Sequence, residues 1–399
     1  MVKHASLFSQ IISIFNRGQF YQLVSKYEAE KHSKGFGCWD QFVAMLFCQL
    51  AQAKSLREIC GGLSCCLGKL IHLGMVQAPK KSTLSYANTH RPWQMYRDLF
   101  YQTLATCRIA VPGKHKFRFK NKLLSMDSST ISLCLSLFPW AEFRQTKGAV
   151  KLHLLLDHDG YLPSYAYISN GKKHDVTFAR KFPLLAGSII VMDRGYNDYK
   201  LFDFWAEKGI FFVTRLKENA DYSVVQKQTV PQNRNILSDQ LIRFTGYYAQ
   251  KHCPHILRRV VVWDKKKQCE IVLLTNHLEF GASTISEIYK DRWQIELFFK
   301  ALKQNLKVKT FVGTSENALY IQIWTALIAI LLIKYLQFKS KLGWSLSNLV
   351  AFLRWNLFTY RDLWDWIDKP FDVLPIAPHS VQLSLPLVGI GQHKLKVTT

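Results

Sequence analysis

The chain has 399 residues, of which 48% are hydrophobic and 20% are charged. This composition is typical of globular proteins and excludes a disordered, collagen-like or coiled-coil chain. The charges are unequal, with 53 Lys and Arg against 28 Asp and Glu and a formal net charge of +25. Such a surface favours a polyanionic partner, with nucleic acid as the leading candidate and an anionic membrane surface as the alternative.

The first third of the chain is predicted to be helical, and residues 1–120 carry 17 basic and 5 acidic side chains, a net +12. The motif Ser55-x-x-Glu58 is typical of a capping box at a helix start. A further helix is predicted from Lys80 to Arg91, with Lys80 and Lys81 at its entry. It could enter a major groove, where Lys80, Lys81 and Arg91 would contact DNA, or it could be a solvated helix with a capping serine. The sequence supports both interpretations about equally.

Nothing in the sequence indicates a membrane-spanning or secreted protein. The nine cysteines form no C-x2-C pair, and the first residues lack the apolar stretch of a signal peptide. The most apolar run, Ile323 to Ile333, has eleven residues and is too short to span a bilayer. We therefore expect a cytoplasmic, reduced protein that binds no membrane.

From residue 121 the pattern becomes strand-like. Three β-rich runs are followed by a helix, a buried strand, a second helix and a fifth strand. This order predicts an α/β fold, a ribonuclease H-like mixed sheet in which the first and fourth strands are neighbours. The five predicted strands are Leu123–Leu133, Val150–Asp157, Leu162–Ser169, Ser188–Met192 and Ile210–Arg215.

The remaining chain is predicted to add a β-rich insertion and then helices only. Residues 219–281 are long enough, and strand-rich enough, to form an inserted subdomain. Thr284-x-x-Glu287 suggests a second capping box, with one helix continuing to Lys307. The predicted organisation is a helical DNA-binding domain at 1–118, a catalytic core at 119–218 and 282–340 interrupted by the insertion at 219–281, and a helical C-terminal region with a loose tail at 341–399.

Two acidic residues stand at strand positions that the predicted sheet brings together. Asp127 lies within the first strand, and Asp193 directly follows the fourth strand. Two neighbouring carboxylates away from water are costly unless a cation neutralises them. Hard oxygen ligands of this kind select Mg²⁺ or Mn²⁺.

A third carboxylate, Glu296, lies in a polar stripe. Tyr289, Arg292, Glu296 and Lys303 are spaced by three, four and seven residues, which predicts one face of a single helix. A parallel apolar stripe predicts that this face borders the core. Three carboxylates holding two divalent ions would suit phosphodiester chemistry. The apolar stripe consists of Ile288, Ile295, Phe299, Leu302 and Leu306.

These residues together resemble the DDE transposases of bacterial insertion sequences, in the branch of insertion sequence family four. The Y-x2-R-x3-E-x6-K signature of that branch is met at Tyr289, Arg292, Glu296 and Lys303, and Asp193 lies in a similar Asp-Arg-Gly-Tyr context. The resemblance runs from about residue 120 to 340. It implies that Asp127, Asp193 and Glu296 are the catalytic residues and hold two Mg²⁺ or Mn²⁺ ions.

The resemblance also implies double-stranded DNA partners, namely terminal inverted repeats and target DNA. A homodimer in a synaptic complex, end cleavage, strand transfer and a hairpin intermediate are expected. Trp263, in the insertion, could stack on a flipped base, although a core position in a strand is the more ordinary expectation. The residues expected to contact DNA in the catalytic core are Tyr289, Arg292, Lys303, Lys300, Arg194 and Trp263.

Simpler interpretations exist for each residue taken alone. Arg292 and Glu296 could be an ion pair on a solvated face, and Asp193 could cap a turn. Their joint occurrence beside Tyr289 and Lys303 favours the transposase. The alternatives are a metal-dependent nuclease that cuts without joining, and a catalytically dead DNA-binding inhibitor.

Overall fold

The computed structural model of the chain describes residues 5–372, apart from 32, 67, 114–115, 145–146, 173–174 and 233. The predicted loose tail lies outside these residues from 373 onward. Within the described part, helices occupy both ends of the chain and a mixed sheet occupies the middle.

Helices form the N-terminal third of the described chain. Ser55 caps α4, since its hydroxyl accepts a hydrogen bond from the Glu58 amide, while the Glu58 carboxylate accepts one from the amide of Lys54. No serine caps α5, contrary to the alternative interpretation of this helix. The helix starts at Lys81, and its N-cap residue, Lys80, makes no side-chain capping hydrogen bond. The helices are α1 (Leu7–Ile12), α2 (Arg17–Lys26), α3 (Cys38–Leu50), α4 (Leu56–Ser64), α5 (Lys81–His90) and α6 (Gln94–Ile109).

A ten-stranded mixed sheet forms the centre of the molecule. Its strands follow the order β2-β3-β1-β5-β6-β10-β9-β8-β7, with β4 paired to β3. The first strand therefore lies beside the strand that precedes Asp193, as the sequence predicts. The strands are β1 (Leu123–Leu133), β2 (Glu142–Arg144), β3 (Lys147–Asp157), β4 (Leu162–Asn170), β5 (Ile189–Met192), β6 (Phe211–Arg215), β7 (Tyr222–Lys227), β8 (Ile236–Phe244), β9 (Leu257–Asp264) and β10 (Cys269–Thr275).

The β-rich insertion continues the main sheet. Its last strand, β10, pairs antiparallel with β6, and β9, β8 and β7 follow outward. The insertion is thus joined to the core sheet through three register pairs of β10 with β6, while its other strands bond to one another. The parallel pairs are β1 with β5 and β5 with β6. Helix α7 (Asp175–Ala179) lies between β4 and β5 in the chain, and α8 (Tyr199–Glu207) connects β5 to β6. Helix α9 (Tyr247–His252) lies within the insertion.

The predicted long helix after the insertion is two helices. Helix α10 (Ala282–Asp291) and helix α11 (Trp293–Asn305) meet at Arg292. The second predicted capping box is also wrong, because Gly281 is the N-cap and makes no side-chain hydrogen bond, which leaves Thr284 inside the helix.

Helix α12 (Glu316–Lys339) is the axis around which the N- and C-terminal helices pack. It has 24 residues, which include the apolar run, and is, among the described residues, the one helix long and apolar enough to cross a membrane. However, 83% of its apolar window is buried inside the protein. The same core includes one face of β1 and β3, together with α13 (Leu346–Asn356) and α14 (Leu363–Asp368).

Candidate active site

The two predicted aspartates lie side by side at one edge of the parallel strands. In the register of β1 and β5, Met126 pairs with Met192. Asp127 directly follows Met126, and Asp193 directly follows Met192, so the two aspartates occupy neighbouring positions. The oxygen Oδ1 of Asp127 accepts a hydrogen bond from the backbone amide of Ser128 over 2.8 Å, which holds this carboxylate in place.

The residues of the Tyr-Arg-Glu-Lys signature do not share one helix. Tyr289 lies on α10, Glu296 and Lys303 lie on α11, and Arg292 is the junction between them. The predicted apolar stripe is nevertheless buried in the described structure, so α10 and α11 both press against the sheet. Helical dihedral angles at Arg292 explain why the spacing resembles one continuous helix.

Arg292 and Glu296 form a half-buried ion pair. The guanidinium Nη2 lies 2.5 Å from Oε1 of Glu296, and the two side chains are 13% and 34% exposed. The Nε atom of Arg292 is buried and has no hydrogen-bond partner. A buried donor without a partner is unusual in a folded protein, so this N–H is a candidate for contact with a ligand oxygen.

The charges around Asp127 couple the three carboxylates. Burial raises the pKa of Asp127 to about 6, the Ser128 amide and Arg292 oppose this shift, and the negative charges of Glu296 and Asp193 add to it. Asp127, Asp193 and Glu296 therefore act on one another electrostatically. A divalent cation would relieve this repulsion.

Lys303 faces the same site from α11. Its Nζ donates to the backbone oxygen of Thr130 on β1 over 3.2 Å. Burial and the nearby charge of Lys309 lower the pKa of Lys303, and Asp127 opposes this shift. Lys300, one helical turn earlier, is exposed to solvent.

A different group of side chains brings its possible metal-ligand atoms closer together than Asp127, Asp193 and Glu296 do. Among the described residues, one trio of His, Cys, Asp or Glu has all its ligand atoms within 4.8 Å of one another. It consists of Asp203 and Glu207 on α8 and His255 before β9. His255 is already paired with Asp203 over 2.8 Å, which accounts for this group as a surface ion pair.

A second polar layer that the sequence did not predict supports the aspartates. Asp175, the first residue of α7, accepts a hydrogen bond from Ser128 over 2.9 Å and pairs with Lys151 over 3.2 Å. Its carboxylate thus connects α7 to β1 and β3. Tyr196 is buried nearby, and burial raises its pKa, with further contributions from the charges of Asp127 and Asp175. The position of Tyr196 at the end of the Asp-Arg-Gly-Tyr motif is the sequence feature that could have indicated its place beside the site.

An aromatic and basic groove of about 550 Å³ adjoins the site. Its lining includes Trp263, Tyr289, Arg292, Trp293 and Lys265. Trp263 is partly exposed in this groove, so the core position expected for a strand tryptophan is wrong. The Arg292 guanidinium lies 5.7 Å from the centre of the Tyr289 ring. The groove can receive a flat, anionic ligand.

The structure separates the remaining predicted DNA contacts into exposed and buried residues. Lys80 and Lys81 are exposed at the start of α5. Arg194 is exposed beside the site and pairs with Glu218 over 3.2 Å.

Arg91 is a correction to the predicted DNA contacts. Its guanidinium is buried and donates to the backbone oxygens of Gly37 and Phe36 and to the hydroxyl of Ser33. It also donates to Oε1 of Gln41. Because these donors hold the entry to α3, Arg91 does not offer them to a phosphate.

Two family models match the chain. The model described as Transposase DDE domain matches residues 118–332, which contain Asp127, Asp193 and Glu296. The model described as Domain of unknown function (DUF4372) matches residues 3–76, within the N-terminal helices.

Similar proteins are named as insertion-sequence transposases. The chain is 28% identical to the putative transposase y4zB of Sinorhizobium fredii, covering 77% of this chain and 87% of the relative. Among solved structures, a piggyBac transposase synaptic complex with hairpin DNA is 12% identical with a TM-score of 0.43, covering 88% of this chain and 79% of that chain. The probable transposase for insertion sequence element IS5377 of Geobacillus stearothermophilus is 30% identical, covering 71% of this chain and 74% of the relative. With this relative and a family match over more than half of its length, the chain belongs to the DDE transposases of insertion sequences.

Proposed function

We propose that this transposase cuts DNA at the ends of its insertion sequence and transfers the released strand into target DNA by a cut-and-paste route with a hairpin intermediate. The observation that carries the proposal is the electrostatic coupling of Asp127, Asp193 and Glu296 beside Arg292 and Lys303. This combination of acidic and basic groups suits a site that holds both cations and phosphates.

We assign the catalytic core to the ribonuclease H-like class. The strand order β4-β3-β1-β5-β6 supports this assignment, since three antiparallel strands precede two parallel ones. The boundaries proposed for the core, 119–218 and 282–340, include all three carboxylates. The insertion at 219–281 contributes Trp263 and Lys265 to the groove.

The donor set fits divalent cations. Asp127, Asp193 and Glu296 would hold two Mg²⁺ or Mn²⁺ ions, because all three offer hard oxygen ligands and the charge on Asp127 is disfavoured without a cation. When bound, such ions activate a water or hydroxyl nucleophile and stabilise the leaving oxygen of a phosphodiester.

The basic and aromatic side chains would position the DNA strand. The unpartnered Nε of Arg292 can donate to a phosphate oxygen, and the exposed Lys300 and half-buried Lys303 can follow the backbone from α11. Tyr289 packs beside Arg292 and would orient the same strand. Trp263 offers a ring on which an unpaired base could stack.

The N-terminal helices are proposed to bind the transposon end. Residues 1–120, which include these helices, carry a net +12 of the formal +25, and Lys80 and Lys81 are exposed at the start of α5. Arg194 would add a contact near the cleaved strand. Because both ends must be cut and joined to one target, two protomers are proposed to assemble on terminal inverted repeats in the bacterial cytoplasm.

Cleavage of DNA carrying the element's own ends tests the proposal. Wild type, Asp127→Ala and Glu296→Ala are compared in Mg²⁺ and in EDTA. Nicking at an inverted repeat by wild type alone, followed by a hairpin or a joined product, is expected. Cleavage without joining would favour a nuclease, and binding without cleavage would favour a dead DNA-binding inhibitor.

A further inference from the structure

A buried carboxylate outside the predicted site stands at the bend between α10 and α11. Asp291 is the last residue of α10 and its side chain is only 2% exposed. It pairs with Lys116 over 2.5 Å and with Nδ1 of His158 over 2.7 Å, and the Tyr161 hydroxyl donates to it over 3.2 Å. Burial opposes its charge, but the hydrogen bonds from His158 and Lys116 lower the pKa of Asp291.

His158 extends this contact to the strand that carries Asp127. Its Nε2 lies 2.7 Å from the hydroxyl of Ser125, which is fully buried on β1. Ser125 precedes Asp127 by two positions, and alternate residues of a strand point to the same face of the sheet. Asp291 precedes Arg292 directly. The chain Asp291–His158–Ser125 therefore joins the two segments whose relative position decides where Arg292 and Glu296 lie against Asp127.

The turn that carries His158 is itself held firmly. Gly160 has a φ of +76°, and a Cβ at this position would lie 2.9 Å from a methyl carbon of Val111, at the end of the N-terminal helices. Lys334 of α12 donates to the backbone oxygen of Gly160 over 3.2 Å. Lys116 belongs to the connector between α6 and β1. The Asp291 contacts thus meet where the N-terminal helices, α12 and the catalytic sheet come together.

We propose that Asp291 is a positioning residue, which fixes the α10–α11 bend against β1 and thereby places Glu296 and Arg292 beside Asp127. Its side chain contacts Lys116, His158 and Tyr161, none of which is a proposed metal ligand. The inference rests on the proposed function for its effect on cleavage, but its effect on cation binding does not depend on strand transfer.

Asp291→Asn in the full-length protein tests the inference with two readouts. The first is Mn²⁺ affinity measured by calorimetry without DNA, and a loss of about tenfold or more is expected, as for other residues that orient metal ligands. The second is single-turnover cleavage of end DNA at saturating protein. The rate should fall by about tenfold or more, since displacements of about 1 Å cost about a hundredfold, and DNA affinity should be unchanged.

Asp239→Asn is the matched control. Asp239 is equally buried at 2% and is paired with Arg258 on the neighbouring strand; Arg258 also donates to the backbone oxygens of Leu278 and Phe280, before the start of α10 and not at the bend. The Asp239→Asn variant should lose thermal stability and keep the Mn²⁺ affinity and the cleavage rate of wild type. Ser125→Ala, which interrupts the other end of the chain with a smaller change, should move both readouts in the direction of Asp291→Asn.

Three results would overturn the inference. The first is an Mn²⁺ affinity of Asp291→Asn equal to that of wild type. The second is a loss of Mn²⁺ affinity in Asp239→Asn as large as that in Asp291→Asn. If Asp291→Asn fails to fold, unchanged Mn²⁺ affinity in Ser125→Ala decides against the proposal. If wild type cuts no DNA, the proposed function fails, and the Mn²⁺ measurement still decides the role of Asp291.

Discussion

Arg292 donates a hydrogen bond of 2.5 Å to Glu296 across the start of α11, directly after the bend from α10. On a solvated helix such a pair contributes only about 0.3 to 0.5 kcal/mol. Here both side chains are partly buried and the Nε of Arg292 lacks a partner, so the pair belongs to the site and not to a solvated face. Arg292 thus pairs with one of the three carboxylates, while the negative charges of Glu296 and Asp193 still add to the raised pKa of Asp127.

Glu296→Gln should abolish cleavage and preserve DNA binding. The substitution keeps the size of the side chain but removes the charge. Loss of a residue that only orients a metal ligand costs up to about a hundredfold in activity, so loss of a ligand itself should reduce cleavage by more than about a hundredfold. Labelled end DNA measures cleavage, and a gel shift measures binding. Glu270→Gln, an exposed change on β10, should behave as wild type. Lost binding in Glu296→Gln would mean that the carboxylate is structural.

Asp127→Asn should stabilise the metal-free protein at neutral pH. The folded pKa of Asp127 is raised from 3.8 to about 6, so its stabilising contribution is complete below pH 3.8 and is lost as the pH rises through about 6. A shift of about two pKa units corresponds to about 3 kcal/mol. Asparagine avoids this loss. Thermal unfolding in EDTA should show a higher Tm than wild type at about pH 7.5 and little difference near pH 4. A lower Tm at neutral pH would contradict the cost of the buried Asp127 charge.

Trp263→Ala should impair a step that unpairs bases, with little effect on folding. Trp263 is partly exposed in the groove, and stacking on a base contributes about 1 to 3 kcal/mol. Formation of hairpin or joined product should slow about tenfold or more, while the first nick is kept. Trp355→Ala, an exposed tryptophan on α13, is the control. Equal effects of the two substitutions would argue against a base contact.

Replacing both Lys80 and Lys81 by Gln should weaken binding of end DNA. Each phosphate contact contributes about 0.9 to the slope of log affinity against log salt, so loss of two contacts should reduce the slope by about 1.8. Both side chains are exposed, so Tm should not change. Affinities at several salt concentrations measure the slope. An unchanged slope would support the alternative that α5 is simply a solvated helix.

Arg91→Ala should destabilise the protein while leaving the salt slope of DNA binding unchanged. The substitution removes the charged donor from the backbone oxygens of Gly37 and Phe36, which keep the Gln41 amide and the Ser33 hydroxyl as donors, so a cost of about 1.5 to 3 kcal/mol is expected. Urea unfolding measures this cost, and Arg118→Ala, an exposed change in the connector, is the control. A smaller salt slope in Arg91→Ala would restore Arg91 as a DNA contact.

The three carboxylates could be predicted because each depends on local pattern. Buried β-rich runs separated by helices bring the first and fourth strands together, and chain connectivity then leaves Asp127 and Asp193 at neighbouring positions. Glu296 was predictable from helical spacing, since a bend with helical dihedral angles preserves that spacing.

Other features depend on which surfaces bury one another, and periodicity carries no such information. Arg91 has the composition of a DNA contact, but the loop before α3 takes its donors. The insertion has the pattern of a separate β subdomain, but its strands complete the edge of β6 because unpaired backbone groups there would be costly. Asp291 stands inside the recognised signature, yet its partners Lys116, His158 and Tyr161 are more than 100 residues away along the chain.

The sequence by itself therefore predicted that the first and fourth strands are neighbours, that Asp127 and Asp193 lie beside each other and that the N-terminal third of the chain is basic, because residue spacing and charge are local properties. Only the tertiary structure decided the bend at Arg292, the exposure of Trp263 in the groove and the burial of Arg91 and Asp291. These outcomes follow from long-range packing and from the requirement that every buried charge find its partners.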